Sequence, residues 1–159
     1  MRYRPSIALI YGLIGLGLLG AKQIARAQEQ NLSYQAISDN FFKMLQQGKG
    51  SEAVDYMFAT NPSVKRASAD HVDQLKAQFA SLNTLMGSYI SHSKLVETKV
   101  AGMFVYQHYF VAFDRQPISV RIKYYKPADS WLVYGLQFDG ELTDNIQKEA
   151  DNNLLLQAK

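Results

Sequence analysis

The sequence predicts an α+β domain in which three helices precede a four-stranded antiparallel sheet and pack on one of its faces. Two patterns of apolar residues predict this class. Between Leu32 and Gly87 the apolar residues recur every three or four positions, as they do on one face of a helix. From Ser88 to Asp139 they alternate with polar residues, as they do in strands that bury one face. Helices followed by an antiparallel meander make an α+β layout.

Residues 1–27 are predicted to be a signal peptide rather than part of the domain. Arg2 and Arg4 precede an apolar run at 7–21, and an A-x-A pattern follows at 25–27. This order is typical of a secretory signal peptide. The run is shorter than the roughly 20 apolar residues that span a bilayer, which favours cleavage. Basic residues directly after the run leave an uncleaved anchor as the alternative.

The leader also decides how the charge is interpreted. It holds four of the 17 basic residues and none of the 14 acidic ones, so the remaining chain has 13 basic residues against 14 acidic ones. The sequence pI of about 9.0 is therefore no indication of nucleic-acid binding, and no such partner is expected. A periplasmic or secreted protein of a bacterium is predicted, or an inner-membrane protein facing the periplasm if the leader is retained. Without cysteine, the domain must be stable through its core alone.

The helices are predicted from apolar spacing and from their end signals. The first covers 32–48, with Ser33 as its N-cap and Gly48 as its stop. A second helix is predicted at 51–59, and a loop around Pro62 at 60–68. The third helix follows at 69–87, where one face carries Val72, Leu75, Phe79, Leu82 and Met86.

Four strands joined by short turns follow the helices. They are predicted at Tyr89 to Val100, Met103 to Phe113, Pro117 to Tyr125 and Trp131 to Asp139. The domain is expected to occupy 28–141, and residues 142–159 to form a polar tail or a weak terminal helix.

This element order, in about 130 residues behind an export leader, resembles exported members of the NTF2-like (cystatin-like α+β cone) superfamily. The resemblance covers roughly Leu32 to Glu141. It rests on the order of elements and on "YYKPADSWLVYGLQF", whose end has the form W-x-V-x-G-x-x-F. The resemblance implies a cavity between sheet and helices, pairing through the other sheet face and, in isomerase-like or dehydratase-like members, an acid inside the cavity.

Hairpin turns at 115–116 and 126–130 would fix which side chains share a face. They would place Val111 opposite Val120 and Ile122 opposite Tyr134, so that apolar residues meet on one inner face. Polar members of that face would line a ligand pocket for a small apolar molecule: Gln107, Tyr109, Tyr124 and Tyr134. The alternative is that these tyrosines belong to the core and their hydroxyl groups reach its rim.

The outer face of the sheet is predicted to carry an interface for a homodimer or a partner protein. Its aromatic residues and arginine are residue types that protein interfaces enrich. The predicted interface residues are Tyr106, Phe110, Arg121, Tyr125 and Trp131. Tyr106 should lie opposite Tyr125, and Tyr125 opposite Trp131. The alternative is a solvated face stabilised by cross-strand aromatic pairs and cation–π contacts.

The chain carries no sequence motif for catalysis. Asp39 and Asp55 are the candidate acids for the cavity that the resemblance implies, although their helical positions point them towards water. Turn geometry places His92 on the inner face and His108 on the outer face, and His71 in the first turn of a helix. No zinc-ligand spacing is present, so neither a metal nor another cofactor is predicted.

Three functions are consistent with these patterns. The first is an exported, non-enzymatic domain that binds a ligand or a protein, dimerising through its sheet face. The second is a small-molecule isomerase or dehydratase with an acid in the cone cavity. The third is an envelope assembly module held at the membrane by an uncleaved N-terminal helix.

Overall fold

The computed structural model describes residues 32–144 and 146–148. The predicted leader, 1–27, and most of the predicted tail, 142–159, lie outside the described residues. The helices are α1 Tyr34–Gln46, α2 Gly50–Ala59, α3 Pro62–Ala67 and α4 Ala69–Met86. The strands are β1 Tyr89–Val100, β2 Phe104–Phe113, β3 Ile118–Tyr125 and β4 Leu132–Asp139. No helix in this part of the chain is long and apolar enough to cross a bilayer.

The sheet has the strand order β1-β2-β3-β4, and every pair is antiparallel, which confirms the predicted α+β class. The helical half differs from the prediction, because α3 occupies the segment predicted as a loop. Pro62 stands at the start of α3, where its missing N–H costs nothing, and the Asn61 side chain accepts a hydrogen bond from the Val64 N–H. Pro62 therefore starts a short helix instead of marking a loop.

Glycines and one serine set the ends of α1 and α4 as predicted. The Ser33 hydroxyl accepts a hydrogen bond from the Ala36 N–H at 3.1 Å and caps α1. Gly48 follows α1 with φ +72°, and Gly87 follows α4 with φ +89°, a conformation that other residues rarely adopt. The second helix was predicted at 51–59, and α2 begins one residue earlier, at Gly50.

The core lies between the helices and the inner face of the sheet. Side chains on β2 alternate between half-buried and buried along its whole length, so one face of that strand is fully covered. The buried stripes of α1 and α4 face it. Burial of each such apolar side chain contributes about 1.5–3 kcal/mol, which is how a chain without disulfides forms a stable core. The largest fully buried side chains include Phe41, Phe42, Phe79, Tyr124, Ile37 and Met57.

The pairing of β2 with β3 is shifted by two residues from the predicted register. Val111 lies opposite Ile118 instead of Val120, and four residues, 114–117, connect the two strands. Side chains alternate with a period of two, and a shift of two therefore leaves every residue on its predicted face. Tyr106 consequently lies opposite Lys123, and Phe104 lies opposite Tyr125, which corrects the predicted pairing of Tyr106 with Tyr125.

A β-bulge between β3 and β4 changes which residues of β4 face the core. Tyr124 pairs with Val133 and Lys123 with Gly135, so Tyr134 is the extra residue. Val133 is fully buried and Tyr134 is 56% exposed. The prediction that Tyr134 lies on the inner face is therefore wrong.

The predicted position of Trp131 is also wrong. Its ring packs edge-on against Tyr34 of α1, with ring centroids 5.0 Å apart, and therefore lies on the core side of the sheet. Tyr125 pairs with Leu132, not with Trp131. Trp131 precedes β4 and is not bound by the alternation of side chains within that strand.

Candidate functional site

A chain of hydrogen-bonded polar groups crosses the core between α1 and the sheet. Ser38 of α1 lies one helical turn after Tyr34, and its Oγ is 2.7 Å from Gln107 Oε1 and 2.6 Å from the Tyr124 hydroxyl. Gln107 Nε2 donates to Glu97 Oε2 at 3.0 Å. The one proton of the Ser38 hydroxyl is directed to Gln107 Oε1 and to the Tyr34 carbonyl oxygen, which lies 3.1 Å away, so the Tyr124 hydroxyl donates to Ser38. We call Tyr124, Ser38, Gln107 and Glu97 the polar chain.

The polar chain ends in a carboxylate that is bound from four sides. Besides Gln107, the Tyr34 hydroxyl donates to Glu97 Oε1 at 3.1 Å. The ammonium groups of Lys94 and Lys99 lie 2.5 and 3.1 Å from its two oxygens. These bonds, first the one from Lys94 and then the one from Gln107, lower the pKa of Glu97 from 4.5 to about 2. Glu97 is therefore a fixed anion near neutral pH and not a general base.

The other end of the polar chain is equally unsuited to proton transfer. Tyr124 is fully buried, and burial raises the pKa of its hydroxyl far above the ordinary value of 10.0. It therefore remains protonated and serves as a hydrogen-bond donor. The polar chain connects β1, β2 and β3 to α1 without leaving a buried polar group unsatisfied among its members, which favours a structural role.

Three of the four residues predicted to line a ligand pocket are buried in the core. Gln107 and Tyr124 have no exposed surface, and Tyr109 is 6% exposed, with its ring centroid 4.6 Å from that of Phe42. Their positions favour the interpretation that they belong to the core. Tyr134, the fourth predicted pocket residue, lies on the opposite face of the sheet.

Neither candidate acid is buried in the core. Asp39 of α1 is exposed. Asp55 of α2 forms ion pairs with Lys65 and Lys76 at 2.9 and 2.8 Å, and the hydrogen bonds from Lys76 and then Lys65 lower its pKa. An ionised, partly exposed carboxylate between two lysines is a poor general base.

The histidines lie apart, on the faces that were predicted for them. His92 pairs with Val111 and stacks on Phe42, with ring centroids 4.0 Å apart, and burial lowers its pKa. His108 lies on the other face, where its Nε2 is 2.7 Å from Ser119 Oγ. Ser119 is only 2% exposed, so this serine–histidine pair is closed to a substrate. Among the described residues, no group of three or more His, Cys, Asp or Glu side chains could hold a metal ion.

The outer face carries a surface of aromatic and aliphatic side chains near the β1–β2 turn. Val100, Phe104 and Tyr125 lie side by side on neighbouring strands, and Tyr106 follows two residues after Phe104. The ring of Tyr134 meets that of Phe104 edge-on, with centroids 6.4 Å apart. We call these five residues the outer patch. Val100, Tyr125 and Tyr134 are 54%, 40% and 56% exposed.

The outer patch contains two of the predicted interface residues, Tyr106 and Tyr125. Phe110 and Arg121 lie on the same face of the sheet, opposite Ser119 and His108, whereas Trp131 lies on the core side. The sequence prediction missed Tyr134 as an outer residue because the bulge gives no clear signal in the sequence. It also missed Ser38 and Glu97. Ser38 could have been found as a small polar residue between Ile37 and Phe41 in the apolar stripe of α1.

Comparison with known proteins supports the fold. No family model and no curated protein matches the sequence. The chain is similar to the solved structure of a Campylobacter jejuni protein described as an NTF2-like transpeptidase, with a TM-score of 0.50 and 20% sequence identity. The match covers 64% of this chain and 97% of the other. The described chain thus has the NTF2-like fold, as its element order predicted.

Proposed function

We propose that this protein is an exported, non-enzymatic interaction domain that binds a second copy of itself through the outer patch. The observation that carries this proposal is the position of the exposed aromatic residues. They lie together on the sheet face that α1 to α4 do not cover, whereas the polar residues of the inner face bind one another. An NTF2-like fold fits both ligand-binding and enzyme-like domains, so the side chains on its two sheet faces have to distinguish these functions.

The composition of the outer patch supports a protein partner. Three of its five side chains are tyrosines, which give a large contact area at a low cost in conformational entropy. Contiguous apolar surface on a soluble domain is often an interaction site. Lys123 and Arg121 lie beside the patch on β3, and a charged rim around an aromatic centre is typical of protein interfaces.

The inner face offers less support for an isomerase or dehydratase. Asp55 is bound by two lysines, Asp39 is exposed, and Glu97 stays ionised down to low pH. Such an enzyme needs a base with a raised pKa inside a cavity. The acids described above have either a lowered pKa or a position in water.

The oligomeric state of the Tyr125→Glu variant tests the proposal. A carboxylate in the centre of the outer patch should prevent burial of the patch, and a dimer should become a monomer in analytical ultracentrifugation. Leu85→Glu is the matched control, because Leu85 is 60% exposed on α4, away from the sheet, and this variant should remain dimeric. A wild-type monomer at all concentrations, or a dimeric Tyr125→Glu protein, would overturn the proposal.

We also propose that residues 1–27 direct export and are then removed, which would give a periplasmic or secreted protein. Intact mass measurement of the protein exported by its own leader tests this step. A mature chain that begins at Gln28 supports a free domain. A retained leader would contradict it and would favour an assembly module anchored in the inner membrane and facing the periplasm.

A further inference from the structure

A cleft lies at the β4 edge of the sheet, at the rim of the core and away from the polar chain. It has a volume of about 220 Å³ and opens between β4 and the junction of α3 with α4. Its apolar wall consists of Phe58, Val64 and Leu136, and its polar wall includes Arg121, Lys123 and His71. Tyr134, which also belongs to the outer patch, lines the cleft as well. An apolar wall opposite a few polar groups is the usual composition of a small-molecule site.

The cleft is cationic. Arg121 and Lys123 both line it, and no aspartate or glutamate does. Arg121 is paired with Asp139, which lies outside the lining, and this ion pair holds the guanidinium in place. Lys123 forms no ion pair with any residue in the described part of the chain, so its ammonium group can bind a ligand. Because Asp139 offsets the charge of Arg121, the excess positive charge of the cleft comes from Lys123, and a concave surface with an unpaired cation attracts anions.

Gly135 keeps the cleft open beside Lys123. It pairs with Lys123 across the strands, and a Cβ at this position would lie 3.6 Å from Lys123 Cδ. That distance is ordinary van der Waals contact, so alanine would fit, but a longer side chain would extend into the space that the cleft occupies. The absence of a side chain therefore gives a ligand access to the ammonium group and to the apolar wall together.

We propose that this cleft binds a small organic carboxylate with an apolar body. The carboxylate would bind Lys123 and the exposed part of Arg121, and the body would pack on Phe58, Val64 and Leu136. The cleft has the volume of about seven water molecules. It is smaller than the roughly 300–1,000 Å³ that hold drug-sized ligands, so the body is limited to about the size of one aromatic ring.

Calorimetric titration of the protein with phenylacetate tests this proposal. Phenethylamine has a similar ring with the opposite charge, and inorganic phosphate has negative charge without a ring. We expect phenylacetate to bind and each of the other two to bind at least about tenfold more weakly, the difference that a charge-assisted hydrogen bond or a buried ring makes. Raising the salt from about 0.05 to 0.3 M should weaken phenylacetate binding severalfold.

Two variants locate the site. Lys123→Gln keeps the length of the polar side chain but removes its charge, and should weaken phenylacetate binding about tenfold. Lys43→Gln, at an exposed position on α1, is the charge-matched control and should bind like wild type. Gly135→Leu should abolish binding by filling the cleft, whereas Gly135→Ala should fold and bind nearly normally.

Three results would overturn the proposal. They are the absence of phenylacetate binding by the wild-type protein, unchanged binding by Lys123→Gln, and equal binding of phenethylamine or phosphate. Val100 belongs to the outer patch but lies on β1, at the opposite edge of the sheet from the cleft, so the uncharged Val100→Asn variant should weaken the dimer and bind phenylacetate with unchanged affinity. That comparison separates failure of the cleft proposal from failure of the dimer proposal.

Discussion

Replacing Glu97 with glutamine should make the stability of this domain less sensitive to acid. In the folded protein the pKa of Glu97 is about 2, against 4.5 for an ordinary glutamate. Because the folded pKa is the lower one, the ionised carboxylate stabilises the fold above about pH 4.5, and this contribution is lost as the pH falls towards 2.

The size of the effect follows from the same two values. The difference between 4.5 and about 2 corresponds to at most about 3 kcal/mol of unfolding free energy. Lys94 and Lys99 are 42% and 59% exposed, so solvent screens their attraction and reduces the expected contribution to about 1–2 kcal/mol. In Glu97→Gln the amide oxygen can still accept a hydrogen bond from Gln107, which limits the change mainly to the charge.

Urea denaturation at a series of pH values from about 7 to 2 measures this contribution. At about pH 7 the Glu97→Gln variant should be less stable than wild type by about 1–2 kcal/mol, and this difference should shrink below about pH 4.5 and be largely lost near pH 2. Glu141→Gln, at an exposed position, is the control and should follow the wild-type curve. A difference between Glu97→Gln and wild type that stays constant with pH, or no difference at about pH 7, would refute the reasoning.

Other substitutions probe the rest of the core and the surface. Ser38→Ala should lower the unfolding free energy by about 2–4 kcal/mol, because Gln107 and Tyr124 lose a buried partner. Adding Tyr124→Phe should recover part of this loss. If the losses from the two substitutions simply add in urea denaturation, Ser38 and Tyr124 are not coupled as the polar chain requires. Gly50→Ala should lower the free energy of unfolding by at least about 2 kcal/mol, since the new Cβ would lie 2.0 Å from the backbone oxygen of Phe79. A Gly50→Ala protein as stable as wild type in thermal or urea unfolding would show that α2 and α4 are not packed so closely. Asp55→Asn should cost less than about 1 kcal/mol, because its ion pairs are well exposed, and a larger loss in urea denaturation would be inconsistent with a surface salt bridge.

The fold class and most of the core could be predicted from the sequence because both depend on local periodicity. The stripe on α1 and the alternation on β2 indicate which side chains are buried, whatever lies opposite them. The faces of β2 and β3 were predicted correctly despite a register error, since the error was two residues. Glycines at 48 and 87 marked helix ends because their positive φ is a local requirement.

The candidate sites depended on features that only the tertiary structure decides. One extra residue in β4 moved Tyr134 from the core to the outer patch, and the energy of such a bulge depends on the neighbouring strand and on helices that cover it. The polar chain joins Ser38 to Gln107 and Tyr124, which lie 69 and 86 positions later in the sequence, so no local pattern could reveal it. The sequence by itself determined which residues alternate and where the helices end. Tertiary packing decided which polar groups meet, because hydrogen bonds and clefts between distant segments form only when those segments come together.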